Sequence, residues 1–450
     1  MEVINSILSG IIVPVLLIFC GLFFAAKQKF FYILHPLKLC RCLGEASGEE
    51  GVSPFRALTV ALAGTLGVGN MAGVATAITA GGAGALFWMN ISALCAMSIK
   101  YIEVCLAVET REKSDKGWRG GAMFYIKKLV GGKLGRVLGG IFAVLCAVNS
   151  LLTGNIVQVN SACAALPQIE PLLIGGIIGL MAMWIAAGGG KRISGATVII
   201  IPILSAVYMI LCLAIIFSNY ARLPQVFSEI ITSAFSLRSV GGGILGFGIT
   251  RSMRFGVTRG IFSNEAGCGT SPTAHAMANT KSPHHQGCFG IFEVFADTTV
   301  LCTMTGIVIL LAGETALDGI SLTLYAFENL AGKWASDIIA VSIVLFAFAT
   351  VISQASYGLV SLDFLGKPKL KPIYLLLIPL TSAAGSIISA AFMWQTADLT
   401  VSVMTVINVG CLSIYSRNCR IKRTSRKNKK ELLLSHMNTR DDCVSMVKGL

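Results

Sequence analysis

The stretch "GTLGVGNMAG", Gly64 to Gly73, interrupts an apolar run long enough to cross a bilayer. Four glycines and an asparagine in ten residues oppose a straight helix, since each interior glycine costs about 1 kcal/mol relative to alanine. Within hydrocarbon, every backbone N–H or C=O that such a break frees must find a partner. A ligand can supply one. The amino end of a half-helix offers N–H donors and a positive dipole end to a carboxylate, and unwound carbonyls suit a hard cation such as sodium. The competing reading is a packing motif, because Gly69 and Gly73 are spaced as G-x-x-x-G. Asn70, directly after the glycines, and a second glycine cluster, "GGGILGFG" at Gly241 to Gly248, favour the binding break.

The composition supports a membrane setting. Over 450 residues, 54% are hydrophobic and 13% charged, and the mean hydropathy is +0.76, outside the range of soluble domains. Apolar runs of roughly 20 residues recur, the length at which a helix spans the hydrocarbon core. A β-barrel would show short alternating segments instead. The fold class expected is all-α and polytopic, with about eleven spans near 7–26, 55–79, 82–107, 136–162, 169–187, 194–218, 233–256, 286–312, 335–360, 371–391 and 393–415.

The net charge of +14 does not point to nucleic acid, because the basic residues fall in connections and in the tail. Alternate connections carry them: "KQKFFYILHPLKLCR", "REKSDKGWRGGAMFYIKK", "GGGKR", "RFGVTRG", "GKPKLK" and the tail "RNCRIKRTSRKNKK" from Arg417. By the positive-inside rule the amino terminus lies outside and the carboxyl terminus in the cytoplasm, the split that an odd number of spans requires. The basic tail reads as a topology anchor facing the lipid bilayer. No signal-peptide cleavage site follows the first apolar stretch. The 14 cysteines read as small packing residues without zinc-site spacing.

Setting the first span aside leaves two groups of five, and the glycine clusters fall in the first span of each. An odd number of spans per group inverts the second group, and paired broken helices in inverted halves point to a midplane transporter site. The expected division is 1–54 for the extra amino-terminal helix and its connection, 55–218 and 219–416 for the two five-helix repeats, and 417–450 for the tail.

Several stretches carry a resemblance: "GTLGVGNMAGVATAI" (64–78), "GGAGALFWM" (81–89), "GGAMFYI" (120–126), "GNIVQVNSA" (154–162), "RGIFSNEAGCGTSPTAHA" (259–276) and "DTTVLCTMTGIVIL" (297–310). From about residue 55 to 415 the chain resembles the alanine or glycine:cation symporters of bacteria and archaea. The resemblance implies a fold like the bacterial leucine transporter and import of a small neutral amino acid with Na+ or H+ across a bacterial inner membrane. It further implies that Leu66, Gly67, Val68, Gly69 and Asn70 cradle the substrate carboxylate, with Gly246 in the second glycine cluster also facing substrate. The Ala63 and Leu66 carbonyls with Thr350 would form a sodium site. Thr350 could equally bond its own helix backbone. The alternative function on this fold is an uncoupled amino-acid exchanger or an amino-acid sensor.

Other polar residues in the spans need partners. Gln158, mid-span, must face the interior, as a substrate contact or as glue between helices. Lys100 and Glu103 read as a mutually neutralising pair on one helix face. Asp297 is a proton or cation carrier, or an acceptor for neighbouring helices. Asn264 and Glu265 are placed at an inner gate, and His284 and His285 in a solvated loop without spaced metal partners. The chain departs from the family at Gln354, where a tryptophan is usual, at Leu359, where an acid is usual, and at Ala83 and Ala122, where proline is usual. Gln354 is therefore a candidate contact for a larger or more polar substrate. "GGKLGR" lacks the ending of a P-loop, and no nucleophile and base pair suggests an enzyme, so neither a cofactor nor nucleotide energy is expected, only an ion gradient.

Overall fold

The glycine break appears as a bend of 59° between helix α3, Pro54–Thr65, and helix α4, Val68–Gly81. The structure is a computed structural model that describes residues 2–44, 52–114, 117–235, 251–313 and 315–426. Ser53 starts α3 by accepting a hydrogen bond from the Arg56 N–H at 3.3 Å, with Pro54 in the first turn, where its missing N–H costs nothing. At the other end the Gly67 N–H turns to the Thr65 carbonyl at 2.8 Å rather than continuing the ladder to Ala63.

Around this pair stand long apolar helices: α1, Leu8–Lys27; α5, Gly84–Thr110; α7, Gly132–Ala165; α9, Gly189–Ser218; α12, Pro283–Ala312; α14, Lys333–Phe364; α15, Pro368–Ile387; and α16, Phe392–Ile414. Between them lie the surface helix α2, Pro36–Gly44, and the shorter helices α6, Ala122–Val130, α8, Pro171–Ala187, α10, Leu223–Ala234, α11, Arg251–Asn264, and α13, Gly319–Ala331. One small antiparallel ribbon, Glu112–Ser114 with Gly117–Arg119, lies in the connection after α5.

Eight described helices are long and apolar enough to cross a membrane, or nine with the bent pair taken as one span. The expected eleven is thus not reached: α8 has only 17 residues, and the expected span over 233–256 falls largely on residues outside those described. Outward-facing side chains such as Phe19, Trp184, Ile210 and Phe217 are more than 60% exposed, the surface a lipid-facing helix presents. Inside, close packing relies on small residues. On α8 a side chain at Gly179 would lie 2.6 Å from the Pro379 backbone of α15, so only glycine permits that approach.

Two readings of charge are corrected. "RFGVTRG" is not a loop but part of α11, and Arg259 forms an ion pair with Asp398 at 3.0 Å. An arginine near hydrocarbon needs such a partner, which only the fold brings within reach. Lys100 pairs not with Glu103 but with Glu293 of α12, at 3.4 Å and fully buried, and also donates to Ser271. Glu103 instead accepts from the Asn408 amide of α16. Helical spacing gave Lys100 and Glu103 a shared face; partners on other helices won because each lies where a buried charge needs it.

Candidate binding site

The break in α3–α4 is surrounded by side chains from five other helices, α7, α9, α11, α12 and α14. Gln158, on α7, extends its Oε1 to accept the Val68 N–H at 3.2 Å, and its Nε2 donates to the Thr153 carbonyl at 3.4 Å. Val68 opens the second half-helix, so the glutamine amide occupies one of the donors that a half-helix amino end leaves unsatisfied. It follows directly on a π-helical turn, Leu152–Ile156, a distortion that re-aims side chains and recurs at functional sites.

Thr350, on α14, donates from Oγ1 to the Phe346 carbonyl at 3.0 Å. Its proton is therefore committed to its own helix, while the oxygen's lone pairs remain available as a hard ligand. A Cβ at Gly67 would lie 2.6 Å from Gln158 Oε1 and 2.7 Å from Thr350 Oγ1. Three elements thus converge on Gly67, where a side chain would have to displace the Gln158 amide and the Thr350 hydroxyl. The Ala63 and Leu66 residues belong to the same turn, and Ala63 is the residue whose carbonyl the Gly67 N–H bypasses.

Asn70 binds inward. Its Nδ2 donates to the Asp297 carbonyl at 3.0 Å, to Asp297 Oδ1 at 2.8 Å and towards Cys302 Sγ at 3.4 Å, while its Oδ1 is buried without a hydrogen-bond partner. Asp297 sits in a second π-helical segment, Phe295–Cys302. Its Oδ2 accepts from Ser263 at 2.8 Å and from Thr298 at 2.7 Å. Of the two readings of Asp297, the geometry supports an acceptor that joins α4, α11 and α12.

Gly69 lies against the Ser263 backbone, 3.3 Å from where its Cβ would be, whereas a Cβ at Gly73 would meet nothing within 4 Å. A G-x-x-x-G seam needs both glycines in contact, so Gly69 and Gly73 do not form one. Leu66, Gly67, Asn70, Met71, Tyr208, Leu301 and Phe346 line a cavity of about 10 Å³. That is space for about one water and far too little for an amino acid. Tyr208, Leu301 and Phe346 escaped the sequence reading. Tyr208 carried a signal, a hydroxyl in the middle of an apolar span, and it meets Thr305 at 2.6 Å.

One turn beyond Thr350 on α14, Gln354 donates to Glu265 Oε1 at 2.7 Å and to the Gly64 carbonyl at 3.4 Å, leaving its own Oε1 buried and without a partner. Glu265 follows the end of α11 with φ +50°, a left-handed conformation that costs a non-glycine residue about 1–2 kcal/mol. Its other oxygen accepts from Thr270. Asn264 beside it donates to Thr298 Oγ1 at 3.0 Å and accepts from the Ala266 N–H at 2.9 Å. The two expected gate residues therefore reach in different directions, Asn264 to α12 and Glu265 to Gln354 of α14 and to Thr270. Gly246 lies outside the described residues.

His284 and His285 also depart from expectation: they belong to the first turn of α12, capped by the Ser282 hydroxyl, and both are half-buried.

A family model for the sodium:alanine symporter family matches residues 1–433. The chain belongs to the sodium:alanine symporter family. It is 35% identical to the sodium/alanine symporter AgcS of Methanococcus maripaludis, covering 92% of this chain and 93% of that one. It is 33% identical to the amino-acid carrier protein AlsT of Bacillus subtilis, over 89% and 86% of the two chains, and 34% identical to that organism's probable sodium/glutamine symporter GlnT, over 92% and 87%. Among solved structures, MhsT in complex with L-phenylalanine has a TM-score of 0.52 at 14% identity, over 82% of this chain and 90% of that one. A manganese transporter of Eremococcus coleocola also gives 0.52, at 16% identity, over 90% and 86%. At such identities the likeness speaks for the fold alone, that of the leucine-transporter class. As a family member the chain is a membrane symporter of amino acids with a cation, and not an enzyme.

Proposed function

We propose that this chain imports a small neutral amino acid, alanine or glycine, with Na+ as the coupling ion, by alternating access across a bacterial inner membrane. The observation that carries this reading is the break at Gly67, whose Cβ would stand 2.6 Å from Gln158 Oε1 and 2.7 Å from Thr350 Oγ1. Substrate carboxylate would meet the half-helix amino end at Gly67, Val68, Gly69 and Asn70, with Gln158 moving off the Val68 N–H or sharing it. The cation would sit between the Ala63 and Leu66 carbonyls and the Thr350 hydroxyl, neutral oxygens that hold a monovalent ion loosely enough to release it. Relatives named for alanine and for glutamine symport bracket the substrate class.

In this reading residues 55–218 and 219–416 are the two inverted repeats, 1–54 the extra helix with its connection and 417–450 the tail, the amino terminus lying outside and the carboxyl terminus in the cytoplasm. Asn264 and Glu265 serve the inner gate, and Gln354 links that gate to the broken helix through Glu265 and the Gly64 carbonyl. One helix group rocks against the other about the midplane site.

The test is uptake of labelled alanine and glycine by purified protein in liposomes with an inward Na+ gradient, an inward H+ gradient or neither, with glutamine as competitor. Accumulation driven by the Na+ gradient is expected. One-for-one exchange or binding without gradient dependence would replace the proposal with an uncoupled exchanger or sensor.

A further inference from the structure

A second polar cluster lies well away from the break. Cys42 of α2 comes to His284 and Cys288 of α12, and the three ligand atoms lie within 4.8 Å of one another. His284 and Cys288 are four residues apart, one above the other on the same helix face. Cys288 Sγ stands 3.8 Å from His284 Nε2. Bonds of about 2.3 Å to sulfur and 2.0 Å to nitrogen at the tetrahedral angle would set that separation near 3.5 Å, so the pair needs little adjustment. Cys42 arrives because α2 is amphipathic: Leu39, Cys42 and Leu43 pack inward, while Cys40 is exposed.

The surroundings are those of a ligand histidine. Tyr101 OH lies 2.6 Å from His284 Nδ1, and a proton held on that nitrogen leaves Nε2 as the lone-pair donor facing the two sulfurs. The rings of Phe31 and Tyr101 stand 5.8 and 5.7 Å from the imidazole and fix its plane. Cys42 and Cys288 are thiols, not a disulfide, the form that a reducing cytoplasm maintains.

We propose that Cys42, His284 and Cys288 bind one zinc ion, with water as the fourth ligand, and that the metal staples surface helix α2 to the start of α12. Two thiolates, one imidazole and an oxygen form a donor set that suits zinc and is poor for Ca2+, Mg2+ or a transported alkali cation. Binding releases the Cys42 and Cys288 thiol protons to solvent, with no change of oxidation state. The staple would hold the connection leading from α1 to α3, the first half of the broken helix.

The test uses the full-length protein in detergent, loaded with Zn2+, dialysed and assayed for metal per chain, with Co2+ substitution read by absorption. Wild type and Cys40→Ser are expected to retain one zinc per chain. Cys42→Ser and His284→Asn are expected to lose it while still eluting as folded, monodisperse protein. The Co2+ form is expected to show a thiolate charge-transfer band and the intense visible bands of tetrahedral coordination. Folded wild type that retains no zinc, retention unchanged in both ligand variants, or a Cys42–Cys288 disulfide in protein prepared under reducing conditions would each overturn the proposal.

Discussion

Gly67 shows how far one missing methyl group can matter. Its Cβ would stand 2.6 and 2.7 Å from two oxygens that serve the site, whereas a Cβ at Gly73 would meet nothing within 4 Å. Gly67→Ala should therefore reduce alanine uptake at least about tenfold, roughly 1.4 kcal/mol of lost interaction, and lower thermal stability by about 1–3 kcal/mol through overpacking. Gly73→Ala should leave uptake unchanged in the same proteoliposome assay. Equal loss in both would show that helix packing, not the break, is what the glycines serve. The break itself was legible in the glycines and Asn70 because a run of glycines opposes a straight helix in hydrocarbon. The difference between Gly67 and Gly73 was not, because it depends on what α7 and α14 bring alongside.

At the scale of elements, the site is assembled where helices lose regularity: the bend after α3, the π turns in α7 and α12, and the left-handed residue after α11. Each distortion turns one polar side chain across to another element. Gln354 and Glu265 illustrate the result, joined at 2.7 Å across α14 and the end of α11. Gln354→Ala and Glu265→Ala should each destabilise the protein, and the double variant should lose less than the sum of the two. The expected coupling is about 0.5–3 kcal/mol, measured by a double-mutant cycle on thermal unfolding. Strict additivity would mean that the two side chains do not act as one latch. The departure at Gln354 was visible in the sequence, but its partner was not, because 89 residues separate it from Glu265.

Across the whole molecule, the buried charges tie distant helices together. Lys100 and Glu293, both fully buried, join α5 to α12, and Glu293 also meets His275 Nε2 at 2.8 Å. Lys100→Met leaves that carboxylate without its cation and should cost about 3–5 kcal/mol, while adding Glu293→Gln should restore part of it. The measurement is thermal unfolding of the purified variants. A double variant no more stable than the single would show that the lysine's stem, not its charge, supports the bundle. The cavity at the break, about 10 Å³, belongs to this scale too: under the proposed function, admitting an amino acid there requires helices to separate.

The sequence by itself determined the membrane setting, the helical class, the broken helix and the family signature, because hydrocarbon imposes length, apolarity and backbone satisfaction on each segment separately. Tertiary structure decided the partners. Lys100 found Glu293 instead of Glu103, Gln158 met the Val68 N–H, Asp297 gathered Asn70 and Ser263, and Cys42 reached His284 and Cys288. Local spacing states which residues share a face of one helix. It does not state which other helix that face will meet, and a buried polar group takes its role from the donor or charge it meets there.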